Sequence, residues 1–185
     1  MKLKKNIIII FFVVVLLGGI FLIISERNNI AAKKSLIHLS QLIENGKASN
    51  LCLTIYYIDP SFLTSFPLSV ELLVNSFKED VVYVNNLERH IDLLKQLSSD
   101  VLKPVEHKSR IDARIYYIIK TQNNRKIFDV AMWGDDYSIY VNGLEVKSAN
   151  IFYDIIMPFL PNDIAEYLEF VKDDVKWEND DEELF

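Results

Sequence analysis

One cysteine, Cys52, in 185 residues leaves no partner for an internal disulfide and excludes a metal site built on several thiolates. The five glycines stand at positions 18, 19, 46, 134 and 143, too scattered for a glycine-rich phosphate loop. His38, His90 and His107 each lack a second histidine three to five residues away, so no zinc-binding helix motif exists. No G-x-S-x-G run marks a serine nucleophile, and no D-x-D-x-D-G run marks a calcium loop. Cys52 lies in an apolar strand-like run, where a thiol is inert rather than nucleophilic. No cofactor is expected.

What is present excludes disorder. Half of the chain is apolar and 12% is aromatic, enough to build a core. The net charge of −6 is unevenly spread. Residues 89–126 carry nine basic against four acidic side chains, residues 127–172 two against eight, and Asp173 to Phe185 one against seven. Lys103, Lys108, Arg110 and Arg114 form the basic cluster. The acidic end argues against nucleic acid as a partner, because phosphate binding needs a cationic surface.

Ile7 to Ile24 is a run of 18 residues without a polar side chain, preceded by Lys2, Lys4 and Lys5. As a helix it is about 27 Å long, close to the hydrocarbon thickness of a bilayer. It is longer than a signal-peptide core, and no small-x-small cleavage site follows it. The expectation is an uncleaved anchor that contacts the lipid bilayer through residues 7–25. The basic residues at the membrane edge place the N-terminus in the cytoplasm and the C-terminal domain outside. The expected organisation is a cytoplasmic basic tail (1–6), a transmembrane helix (7–25), a helical stalk (26–49), an extracytoplasmic α+β domain (50–172) and a disordered acidic tail (173–185).

Within the domain, periodicity predicts a helix over Asn28 to Asn45, a strand over Leu51 to Ile58, and a short helix after Ser69. A strand over Val81 to Val84 follows. Leu87, Ile91, Leu94 and Leu97 mark the apolar face of a longer helix. Ile111 to Thr121, Lys126 to Trp133, Tyr137 to Val141 and Leu144 to Lys147 form a meander. Its last turn is Asn142-Gly143, the dipeptide favoured in type I′ hairpins. Asn162 to Lys172 closes the chain with a helix. The fold class is α+β: an antiparallel sheet, with a three- to four-strand C-terminal meander and helices on one face.

Strict alternation puts Ile127, Asp129, Ala131 and Trp133 on one face of their strand, and Asp112, Arg114, Tyr116 and Ile118 on one face of theirs. Together they make a face mixing acid, base and aromatics. Its simplest reading is a cross-strand Arg114–Asp129 ion pair on a solvated sheet. Its functional reading is a recognition surface of Arg114, Tyr116, Asp129 and Trp133, because Trp, Tyr and Arg dominate binding hot spots. A third reading, an acid–base site, is poorly served by a lone carboxylate.

The run Asn86-Leu-Glu-Arg-His-Ile-Asp-Leu-Leu-Lys-Gln-Leu97, a basic loop, and a meander ending in Tyr137-Ser-Ile-Tyr-Val-Asn-Gly143 resemble uncharacterised small membrane-anchored or lipoprotein domains of Gram-positive bacteria. The resemblance is architectural, spans about residues 85–160, and carries no active-site residue. The chain lacks the lipobox cysteine of the lipoprotein members. Three functions follow as expectations. The first is a membrane-anchored extracytoplasmic interaction or sensor domain, with another envelope protein as partner. The second is an immunity or accessory protein. The third is an envelope hydrolase using Asp129, Asp135 or His90.

Overall fold

The computed structural model describes residues 26–59, 62, 64, 66–76, 80–105, 111–132 and 138–182. The anchor expected at 7–25 and the turn at 134–136 lie outside these residues. Among the described residues, no helix is long and apolar enough to cross a membrane.

The fold is α+β, and its sheet is larger than the meander alone. Six antiparallel strands are ordered β2-β1-β3-β4-β5-β6. They are β1 Leu51–Tyr57, β2 Val81–Val84, β3 Ile115–Thr121, β4 Lys126–Met132, β5 Ile139–Val141 and β6 Leu144–Val146. β1 pairs with β3 over seven residues, from Leu51 opposite Thr121 to Tyr57 opposite Ile115. The β5–β6 turn has Asn142 at φ 49° and Gly143 at φ 75°, the paired left-handed residues of a type I′ hairpin.

Alternation along the strands separates two cores. Leu53, Ile55, Ile115, Tyr117, Ile119, Phe128, Val130 and Val141 line the first face. Tyr116, Ile118, Ala131 and Tyr140 line the second. The first face is covered by α1 (residues 26–44), α4 (Ile151–Asp154) and α5 (Asn162–Glu182). The second is covered by α2 (Val70–Ser76), whose Leu73 is buried there with Ile58 and Leu68. Helices therefore lie on both faces, not on one. A short helix such as α2 has only two or three core positions, too few for periodicity to assign it a face.

α1 is a packed helix of the domain, where the sequence pattern suggests a stalk. Ala32, Leu36, Leu39 and Ile43, spaced four, three and four residues apart, are all within the first core. The helix ends in a Schellman cap. The Gly46 N–H donates to the Ile43 carbonyl at 3.0 Å, and the Lys47 N–H donates to the Leu42 carbonyl at 2.9 Å. Gly46 takes φ 67°, a conformation that favours glycine.

Three further expectations change. The helix read from Leu87 to Leu97 is a 3-10 turn, Glu88–His90, followed by one turn of α3, Ile91–Leu94. Leu87, Leu94 and Leu97 are buried as their spacing implies, so burial follows the pattern although the helix is short. β3 begins four residues later than the apolar run, because Ala113 donates its N–H to the Leu68 carbonyl instead of to a strand. α5 runs past its expected end at Lys172 and continues to Glu182. No glycine or proline interrupts residues 162–182, and Glu and Lys favour helix.

The position of α1 is testable by two adjacent substitutions. Leu36 is fully buried and Ile37 is 49% exposed. Leu36→Ala should cost about 2–5 kcal/mol in urea unfolding through cavity formation. Ile37→Ala should stay within about 0.5 kcal/mol. Equal, small effects would return α1 to the role of a stalk.

Candidate functional site

A β-bulge shapes the mixed face. Ile119 pairs with Phe128, but the next pair is Lys120 with Lys126, leaving Ile127 as an extra residue. Both Ile127 and Phe128 therefore point into the first core. Regular strand residues three apart lie on opposite faces. The bulge moves Lys126 onto the face of Asp129, where its Nζ lies 3.0 Å from Oδ2. Alternation alone would have placed Ile127 beside Asp129.

Asp129 is 15% exposed in its side chain. Its Oδ2 also accepts the Tyr116 hydroxyl at 2.7 Å, across the β3–β4 pair. Its Oδ1 is buried and accepts no hydrogen bond among the described residues. The Asp129 main chain is held from the other side. Its N–H donates to Asn142 Oδ1 at 3.0 Å, and its carbonyl accepts the Asn142 N–H at 2.9 Å. Asn142 Nδ2 then donates to Ser35 Oγ of α1 at 3.0 Å. The turn residue that supplies a positive φ thus also ties the carboxylate's strand to the first helix.

Burial holds the Tyr116 hydroxyl pKa well above its ordinary range, reinforced by the hydrogen bond to Asp129, the Asp129 charge and neighbouring Tyr56. The Tyr56 and Tyr116 rings stack with centroids 6.1 Å apart. Burial and nearby Tyr83 raise the Tyr56 pKa as well. Tyr83, on the edge strand, is 68% exposed. A line of tyrosines thus runs from the solvent at Tyr83, through Tyr56, to Tyr116 and the Asp129–Lys126 pair.

Arg114 does not pair with Asp129. Asp129 lies opposite Ile118, four residues along β3 from Arg114, a separation of about 13 Å. The guanidinium instead holds the loop over the second face. It donates to the Phe62 carbonyl at 3.1 Å, to Thr64 Oγ1 at 2.7 Å and to Asp112 Oδ2 at 3.3 Å. Asp112 Oδ1 accepts the Leu68 N–H at 2.8 Å. Arg114 is accordingly spent inside the fold and is not free for a basic surface patch. Trp133 and Asp135 lie outside the described residues, as do His107, Lys108 and Arg110. His90 packs its ring against Phe159 at 4.4 Å.

The structure therefore brings Tyr116 and Asp129 together, sets Arg114 apart, and adds Tyr56, Tyr83, Lys126 and Asn142. Only Asn142 had a sequence signal, its turn dipeptide. Tyr56 and Lys126 depend on register and on the bulge. A separate open cleft of about 350 Å³ lies at the tip of the β3–β4 hairpin, where Lys47 and Arg125 sit among Asn50, Gln122 and Asn123. Among the described residues, no three His, Cys, Asp or Glu side chains converge as metal ligands. No protein-family model, curated protein or solved structure matches the chain.

The raised tyrosines predict alkaline sensitivity. Tyr116, and fully buried Tyr117, keep their protons in the folded state at a pH where the unfolded chain, titrating near 10, loses them. Stability should be unaffected by these groups below pH 10 and fall above it, by up to about 1.4 kcal/mol per pH unit for each tyrosine. Urea midpoints measured from pH 8 to 11 check this; a midpoint that does not fall above pH 10 would contradict the burial of the two hydroxyls.

Proposed function

We propose that this chain is a single-pass, membrane-anchored protein whose domain lies outside the cytoplasm and binds another envelope protein through the layer on its second sheet face. The anchor rests on the apolar run Ile7 to Ile24 and its flanking lysines. The observation that carries the binding reading is where exposed apolar side chains gather. Five of the nine large apolar side chains exposed among the described residues, Phe62 (48%), Phe66 (58%), Leu72 (36%), Ile111 (36%) and Tyr83 (68%), belong to the second-face strands or to the segments over them, while Ile30, Ile37, Tyr167 and Phe170 lie on α1 and α5. Exposed aromatic side chains on a well-anchored layer supply buried area with little loss of side-chain freedom when a partner docks. Arg114 and Asp112 hold Phe62 and its neighbours in place before binding, which lowers the ordering cost.

A binding role also suits Asp129 better than catalysis. Its Oδ2 is shared between Tyr116 and Lys126, and no second carboxylate or histidine among its described hydrogen-bond partners supplies an acid–base pair. The Asp129 cluster is on this reading a positioning element for the tyrosine line.

Two measurements on the full chain in its membrane test the proposal together. Intact mass of the membrane-extracted protein should retain residues 1–25; a mature chain starting near Ala32 would overturn the anchor. Photo-crosslinking residues placed at Phe66 and Leu72 should capture one and the same protein. The same residue placed at Phe170 of α5, 63% exposed on the other side, should not. Equal capture at all three positions would overturn the second face as the binding surface.

A further inference from the structure

The two edges of the sheet are treated differently. The β6 edge is covered by the segment around Pro104. Pro104 bridges to Val146, the Lys147 N–H donates to the Lys103 carbonyl at 2.7 Å, and the Val105 N–H donates to the Glu145 carbonyl at 3.4 Å. Among the described residues, nothing pairs with the outer edge of β2. The Tyr57 N–H donates to the Asp80 carbonyl, so Asp80, Val82 and Val84 turn their main-chain groups toward β1. By alternation, Val81 and Tyr83 present their N–H and carbonyl groups outward. The strand Val81-Val-Tyr-Val84 has no lysine, proline or acid to discourage pairing, the devices that natural edges use.

We propose that this edge is a self-association site, at which β2 of one copy pairs antiparallel with β2 of a second copy about a two-fold axis at Val82. The strand is complementary to itself in this register. Val81 of each copy faces Tyr83 of the other, and their outward N–H and carbonyl groups form four main-chain hydrogen bonds. Val82 meets its own equivalent at the axis. No charged side chain of the strand is brought against its like, and Asp80 falls opposite Val84 of the other copy.

The geometry of the chain entering the domain favours a second copy over a free peptide. A two-fold axis within one antiparallel sheet runs normal to it, so the first faces of both copies lie on the same side. α1 packs on that face in each copy. The start of α1 at residue 26 therefore lies on the same side of the pair in both copies, the arrangement required of two chains held in one bilayer by the anchor proposed above, on which this preference rests. The layers over the two second faces lie on the opposite side of the pair, which leaves the proposed partner surface accessible in both copies.

Disulfide trapping in membranes holding the full chain tests this. Cys52→Ser removes the native thiol. In that background, Val82→Cys places two thiols across the axis at a non-hydrogen-bonded pair, with Cα atoms about 4.5 Å apart and within disulfide reach. Val84→Cys places them about 13 Å apart, out of reach. Oxidation with copper–phenanthroline should give a reducible dimer from Val82→Cys at least about fivefold more abundant than from Val84→Cys. Adding Tyr83→Pro, which removes only an outward N–H and spares the β1 pairing, should lower the dimer to the Val84→Cys level. Adding Tyr83→Lys should lower it too, and covers the case in which circular dichroism shows the proline variant unfolded. Equal trapping at positions 82 and 84, no trapping at 82, or trapping undiminished by both Tyr83 substitutions would overturn the proposal.

Discussion

The seven-residue pairing of β1 with β3 is the contact on which the rest of the molecule is arranged. It joins the N-terminal half of the chain to the C-terminal meander across a long sequence separation. It also sets the faces. With Ile55 opposite Tyr117 and Tyr56 opposite Tyr116, apolar side chains from both strands fall together on the first face and tyrosines fall together on the second. A slip of one residue would exchange the two sets and bury the tyrosine line under α1. The register is held at one end by the Gln122 N–H donating to the Asn50 carbonyl, and at the other by the Ile58 N–H donating to the Arg114 carbonyl.

Much of this was legible because strands and turns announce themselves locally. The aromatic and branched runs Leu51 to Ile58 and Ile111 to Thr121, the Asn142-Gly143 turn and the Asn45-Gly46 stop each overlap an observed element. The partnership of β1 with β3 was not legible, because nothing local states which distant strand it joins. The Arg114–Asp129 pair failed for the same reason. Both residues were assigned a shared face, but a shared face says nothing about position along the strand, and the register holds them apart. The bulge at Ile127 was invisible as well. Lys-Ile-Phe-Asp fits an unbroken alternation, and the extra residue shows itself only against the partner strand.

That bulge settles an electrostatic problem. A carboxylate at 15% exposure loses much of its hydration and needs hydrogen-bonding partners in its place. On a regular strand, Lys126 would point into the first core and Asp129 would face the second side with only Tyr116. The extra residue sends Ile127 into the core and carries Lys126 to the carboxylate. One local irregularity thus buries a large apolar side chain and pairs a charge. The lysine is itself 53% exposed, so solvent screens the pair and its direct contribution to stability is small. Its effect is to fix where the charge sits relative to Tyr116.

The two faces differ in what holds them, and this bears on where the molecule can change shape. The largest fully buried side chains, Tyr117, Tyr153, Phe128 and Phe152, all belong to the first core. Each removes much apolar surface from water, at about 25 cal/mol per Å². The second face is covered by seven-residue α2 and by a loop tied down through Arg114 and Asp112, and its core is the smaller one. Hydrogen bonds to such charged groups contribute about 1.5–3 kcal/mol each. The layer bearing Phe62, Phe66 and Leu72 is therefore held by a few directional contacts where the first face is held by buried area, and lifting it would break those contacts while leaving the β1–β3 pairing intact.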